Sequence, residues 1–142
     1  AKVLDDGQIE SRIRPEMRQI LRWAEGRDVP IYVVSASPIA IIEVGTARLG
    51  VQVTGALAMT PALGEGDLLL PHLDGPVVYG DGKVRALEQA GVASRLLGAF
   101  GDSAYDAAML RVARVPVAVT PAPRLVALLP GIAGVSELAI RR

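Results

Sequence analysis

Pro30-Ile31-Tyr32-Val33-Val34-Ser35-Ala36-Ser37-Pro38 is the stretch on which the reading of this chain turns. Five apolar or β-branched residues run without interruption and stop at a serine. A run of that kind, following a helix, predicts a parallel strand covered on both faces. The preceding residues supply the helix. Ile13, Met17, Ile20, Leu21 and Ala24 recur at helical spacing over 13–25, with Arg14, Glu16, Arg18, Arg22 and Glu25 opposite them. Pro15 suits the first turn of that helix and Gly26 its end. On the other side of the run, Ser37-Pro38 predicts a helix start, with serine as cap and proline in the first position. That helix reaches about Leu49, and Gly50 supplies a left-handed stop.

The pattern then repeats. Val51–Thr54 and Leu68–Leu70 read as strands around the turn-rich stretch Pro61–Asp67, a β-hairpin excursion within 51–79. A helix is expected from about Lys83 to Ala90, closed by Gly91. A strand follows over Leu96–Phe100, then loop and helix from Asp102 to about Val112. A strand over Pro116–Val119 and a helix over Arg124–Leu129 complete the series. Alternation of strand and helix predicts an α/β fold with a Rossmann-like, mostly parallel sheet between helices. In open sheets of this kind ligands bind beyond the carboxyl ends of the strands, which directs attention to Ser35, Gly101-Asp102 and Thr120.

Composition narrows the chemistry. The 142 residues include no cysteine, and 15 basic residues balance 15 acidic ones. Disulfide scaffolds, thiolate zinc sites and cysteine nucleophiles are excluded. No net field draws the chain to nucleic acid or to an anionic membrane, and no apolar run approaches the ~18 residues of a membrane span. A cytoplasmic location is expected.

Ser35 stands at a strand tip before a helix N-terminus, where a hydroxyl and free N–H groups suit an oxyanion or phosphate. The alternative, that the serines here only cap, is preferred for Ser37. In Gly101-Asp102-Ser103-Ala104-Tyr105-Asp106, two carboxylates four residues apart can converge and suit Mg²⁺, which takes one or two carboxylates and keeps waters. Ser103-x-x-Asp106 also reads as a capping box, a purely structural use of the same residues. In Gly80-Asp81-Gly82-Lys83, one of only two lysines against 13 arginines follows a Gly-x-Gly turn. A cation is not what a helix N-terminus favours, so a compact ammonium is wanted there, or chance put it there. His72, the only histidine, reads as turn or surface; Trp23 reads as packing. Tyr79 and Tyr105 flank the presumed site in sequence.

Taken together, Val33-Val34-Ser35-Ala36-Ser37-Pro38, Tyr79-Gly80-Asp81-Gly82-Lys83-Val84 and Phe100-Gly101-Asp102-Ser103 resemble the haloacid dehalogenase superfamily, in its phosphoserine-phosphatase-like branch. Arg14-Pro15-Glu16-Met17 and Val117-Ala118-Val119-Thr120-Pro121 extend the resemblance over about residues 11–130. It implies a Mg²⁺-dependent phosphomonoester hydrolase acting on a small phosphorylated metabolite. Ser35 and the backbone N–H of Ala36 would hold the phosphoryl oxygens. Lys83 would neutralise the phosphate and the nucleophile. Asp102 would bind Mg²⁺, and Asp106 would act at the metal through a water or by orienting Lys83.

The same family opens with a strand ending in Asp-x-Asp-x-Thr, whose first aspartate attacks phosphorus. The chain contains no Asp-x-Asp. Leu4-Asp5-Asp6-Gly7-Gln8 is the nearest stretch. Three readings follow. In the first, adopted here as the expectation, the chain is the C-terminal part of a hydrolase, residues 1–12 ending a cap or its return linker and 13–142 belonging to the core. In the second, 4–8 are a decayed motif of an inactive ligand-binding pseudo-phosphatase or interaction module. In the third, the motifs are coincidence in another α/β domain. The resemblance puts the missing strand between those ending at Ser35 and Phe100. A complementary N-terminal segment or a second copy is therefore expected to fill the gap, because orphaned backbone groups cost ~1–3 kcal/mol each. The isolated chain is expected to be nearly inactive.

Overall fold

A computed structural model describes residues 13–140; residues 1–12, with the expected linker and the Leu4–Gln8 stretch, lie outside the described residues. The chain divides into two compact units, Ala1–Ala58 and Met59–Arg142. It is an α/β fold in which the sheets fall into three sets: β1 with β2, β3 with β4, and β5-β6-β7.

In the first unit, helix α1 (Pro15–Glu25) carries proline in its first turn and acidic Glu16 there as well, both suited to a helix start. Its left-handed stop falls at Asp28 (φ 54°), two residues beyond Gly26, whose backbone is right-handed. The N–H groups of Asp28 and Val29 close onto the carbonyls of Glu25 and Ala24, the pattern of a Schellman ending. Trp23, expected to pack, is 50% exposed and lies beneath the Arg27 guanidinium, 4.6 Å from the ring centre.

Strand β1 (Tyr32–Pro38) runs further than its sequence predicts. Pro38 keeps an extended backbone (ψ 140°), so helix α2 (Ile39–Thr46) starts after it, and Ser37 makes no side-chain cap. A residue preceding proline is held extended by the ring, which carries the strand through Ser37. Strand β2 is Gly55–Met59, not the expected Val51–Thr54. Thr54 instead fastens the start of β1, accepting from Ile31 N–H at 3.0 Å and donating its own N–H to the Ile31 carbonyl at 2.7 Å. Among the described residues of this unit, only Ile31 and Ala58 are buried apolar residues. All of Tyr32, Val33, Val34 and Ser35 are half-buried, less than their uninterrupted apolar run predicts.

The second unit opens with the antiparallel hairpin β3 (Pro61–Leu63) and β4 (Leu69–Leu73), joined by a 3₁₀ turn over Glu65–Asp67. The excursion is thus shorter than 51–79. His72 is exposed on β4. Helix α3 (Asp81–Gln89) ends at Gly91 (φ 71°), whose N–H and that of Val92 satisfy the carbonyls of Glu88 and Leu87. The three-stranded sheet, β5 (Gly98–Gly101), β6 (Val115–Val119) and β7 (Ser136–Leu138), is parallel throughout. Helix α4 (Ala107–Val112) and the short α5 (Pro123–Val126) accompany it. Among the described residues Val78, Leu87, Leu110 and Leu125 are the largest fully buried side chains, and Ala86, Ala99, Ala107 and Ala118 are buried as well. Fully burying each large one contributes about 1.5–3 kcal/mol. Among the described residues no helix is long and apolar enough to cross a membrane.

Candidate functional site

The site of the second unit grows from two tight backbone turns. Before α3, Gly80 takes a left-handed backbone (φ 53°). Gly82 passes so close to the Val77 carbonyl that any Cβ would overlap it. Only glycine fits, and the turn it permits points Lys83 inward, where it is 8% exposed. At the end of β5, Gly101 leaves room for Asp106: a Cβ on Gly101 would stand 2.4 Å from the Asp106 Cβ. The chain then enters a 3₁₀ turn over Ala104–Asp106 before α4.

These turns bring Lys83 and Asp106 together, the Lys83 Nζ lying 2.5 Å from Asp106 Oδ1. The other carboxylate oxygen, Oδ2, accepts from the N–H of Asp102 (3.1 Å), the N–H of Ser103 (2.9 Å) and the hydroxyl of Ser103 (2.9 Å). Ser103 and Asp106 form a capping box. The capping and functional uses of this segment therefore coexist: the cap fixes the carboxylate that holds the lysine. Burial pushes the Asp106 carboxyl up, but the Lys83 hydrogen bond, the Ser103 N–H, the Lys83 charge and the Ser103 hydroxyl outweigh it and hold it below its ordinary value.

Asp102 lies at the carboxyl end of β5 and is exposed. Its main chain is pinned on both sides, the N–H to Asp106 and the carbonyl to the Ala122 N–H at 2.8 Å. The strand end that supplies Ala122 is itself tightly turned. Thr120 has φ 43°, rare for a β-branched residue, and its hydroxyl accepts from Ile140 N–H at 3.0 Å. Thr120 thus closes the β6–β7 end of the sheet.

This donor set can be tested against a divalent cation. Both oxygens of Asp106 face donors of this chain, which suits the role of orienting Lys83. Asp102 offers an exposed, hard oxygen donor. Among the described residues no group of three His, Cys, Asp or Glu side chains could hold a metal. Among the described residues that set suits an ion such as Mg²⁺, which takes one or two carboxylates and keeps waters and a substrate phosphate.

Ser35 and Ala36 lie in the first unit, on β1. The Ser35 hydroxyl accepts from Ser37 N–H at 3.1 Å, leaving its proton to donate elsewhere. Ala36 is exposed. One feature escapes the sequence reading. Tyr79 and Tyr105 stack on each other with ring centres 4.2 Å apart and planes tilted by 35°. Their separation of 26 positions hides the pairing, and only their places beside Lys83 and Asp106 hint at it.

Comparison with known proteins bears on the family and the fold. A family model described as haloacid dehalogenase-like hydrolase matches residues 2–111. No curated protein matches the chain. Among solved structures, a protein of unknown function from Bordetella pertussis Tohama I is similar with a TM-score of 0.68 and 21% identity, over 87% of this chain and 56% of that one. A functionally unknown protein from Anaerococcus prevotii DSM 20548 has a TM-score of 0.68 and 19% identity, over 89% and 37%. A HAD family hydrolase from Salmonella enterica serovar Typhi has a TM-score of 0.66 and 19% identity, over 87% and 42%. The chain thus spans between 37% and 56% of the lengths of these three.

Proposed function

The chain belongs to the haloacid dehalogenase-like hydrolases, and from that premise we propose that it carries the lysine and metal-binding part of a phosphomonoester hydrolase. The observation that carries this reading is the buried Lys83–Asp106 pair, with Asp106 locked by three further donors from Asp102 and Ser103. An ammonium held in a fixed place by a carboxylate is what phosphoryl transfer asks of a protein, since positioning and charge neutralisation supply most of the catalysis.

In this reading Lys83 neutralises the phosphoryl oxygens, and Asp106 keeps its ammonium aimed and charged. The Ser35 hydroxyl and Ala36 N–H donate to phosphoryl oxygens. Asp102 holds Mg²⁺, which would supply charge neutralisation on the phosphate. The nucleophilic aspartate comes from a segment outside these 142 residues, for no Asp-x-Asp occurs in them. The half-buried apolar run of β1 supports a complementary strand, from that segment or from a second copy. The motifs around Ser35, Lys83 and Asp102 favour the phosphoserine-phosphatase-like branch and a small phosphorylated metabolite as substrate.

The test is hydrolysis of p-nitrophenyl phosphate by the complete gene product and by this chain alone. The complete protein should turn over in Mg²⁺ and stop in chelator, and Asp102→Ala should lower its kcat/KM by at least ~100-fold. The isolated chain should be nearly inert, because phosphate monoesters resist hydrolysis so strongly that enzymes must accelerate it up to ~10²¹-fold. Undiminished turnover in Asp102→Ala would overturn the assignment. Phosphate binding without turnover in the complete protein would favour an inactive ligand-binding module.

A further inference from the structure

We infer that Tyr79 and Tyr105 form a subsite for a planar aromatic group on the phosphorylated ligand, an inference that rests on the phosphate-site reading above and adds the class of leaving group. The two rings sit on the same backbone pieces as the ion pair. The Tyr79 carbonyl accepts from Gly82 N–H at 2.8 Å and its N–H donates to the Val77 carbonyl at 2.9 Å, so Tyr79 belongs to the turn that seats Lys83. Tyr105 lies inside the 3₁₀ turn whose last residue is Asp106. The segments are therefore joined twice, by a buried ion pair and by a ring pair.

The ring pair differs from the ion pair in staying open. Tyr79 is 46% exposed and Tyr105 43%. A ring contact that only braced two turns would gain most by burial, since each aromatic side chain can bury 150–250 Å². Here each tyrosine keeps over two-fifths of its surface open, on the turns that seat Lys83 and Asp106. The Tyr105 side chain beside it pushes the Tyr79 hydroxyl up from its ordinary value, and the charge of Arg124 acts in the opposite sense. The open surface is therefore aromatic, from two rings already in contact with each other. A third aromatic ring in offset or edge-to-face contact fits that surface, and both tyrosines are held by their backbones before the ligand arrives, so little ordering is lost on binding.

The experiment is calorimetric titration of the 142-residue chain in Mg²⁺ with inorganic phosphate, ethyl phosphate and phenyl phosphate. Phenyl phosphate should bind about three- to tenfold more tightly than ethyl phosphate, the range of one aromatic contact. Tyr105→Ala and Tyr79→Ala should abolish that preference and leave inorganic phosphate affinity unchanged. Tyr105→Phe, which keeps the ring, should retain it. Circular dichroism of each variant guards against misfolding. Equal affinities for the two esters, or a preference that survives both alanine variants, would overturn the subsite while leaving the phosphate site standing. Inorganic phosphate that fails to bind, or binds Lys83→Met as well as the unaltered chain, would overturn the phosphate-site reading and the subsite with it.

Discussion

Lys83 and Asp106, 23 positions apart, meet through a 2.5 Å contact in which both side chains are at least nine-tenths buried. Isolated charges do not survive in such surroundings. The Asp106 carboxylate accepts from four donors, the Lys83 ammonium, the Asp102 and Ser103 N–H groups and the Ser103 hydroxyl, so it ties three residues together.

Removing Asp106 should therefore hurt more than removing Lys83. Asp106→Ala takes the carboxylate away from the buried Lys83 ammonium and deprives the Asp102 and Ser103 N–H groups of their acceptor. Breaking a buried pair this way costs about 3–5 kcal/mol. Lys83→Met keeps most of the buried volume and leaves Asp106 with its three donors, so its cost should be smaller. Urea unfolding of both variants checks the order; equal costs, or the reverse, would contradict the account.

Gly101 should be intolerant of any side chain for a reason specific to Asp106. A Cβ at Gly101 would lie 2.4 Å from the Asp106 Cβ and 2.8 Å from its carboxyl carbon. Gly101→Ala must push Asp106 away from Lys83, at an expected cost of about 1–3 kcal/mol for overpacking. Gly131, where a Cβ would meet nothing within 4 Å, is the control: Gly131→Ala should change the unfolding midpoint far less.

Acid should weaken the fold through Asp106 in a defined direction. Its carboxyl is held below the ordinary value of 3.8. A depressed folded value means stability that is fully present above the unfolded value and lost as pH falls through the folded one. The loss should therefore begin below about pH 4 and continue downward. Asp106→Asn should flatten that part of the stability-against-pH curve; an unchanged slope would show that Asp106 contributes none of it.

Much of this was legible in the residues. The apolar runs of β1 and β6 and the Gly91 stop of α3 were readable because each reports a local requirement, for burial or for a left-handed backbone. Gly80-Asp81-Gly82-Lys83 and Asp102-Ser103-x-x-Asp106 were readable because tight turns need glycine and caps need acids. What escaped was set by distant partners. Gly55-Ala56-Leu57-Ala58-Met59 is rich in helix formers, yet it is β2, because it pairs with β1. A Cβ at Gly55 would press on the Tyr32 ring at 2.9 Å. Ser136-Glu137-Leu138 has no apolar run and becomes β7 only by pairing with β6. The contact of Tyr79 with Tyr105 depends on the Lys83 and Asp106 turns meeting, which no local pattern announces.

The most direct test of the central claim, that Lys83, Asp102 and Asp106 are arranged to receive phosphate, is a nuclear magnetic resonance titration of this chain with inorganic phosphate. The Lys83 side-chain ammonium and the backbone amides of Asp102 to Asp106 are the reporters. The account predicts saturable shifts confined to these groups and their neighbours, strengthened by Mg²⁺ and lost from the amides in Lys83→Met. Saturable phosphate binding that leaves these resonances unmoved, or no binding with Mg²⁺ present, would contradict it.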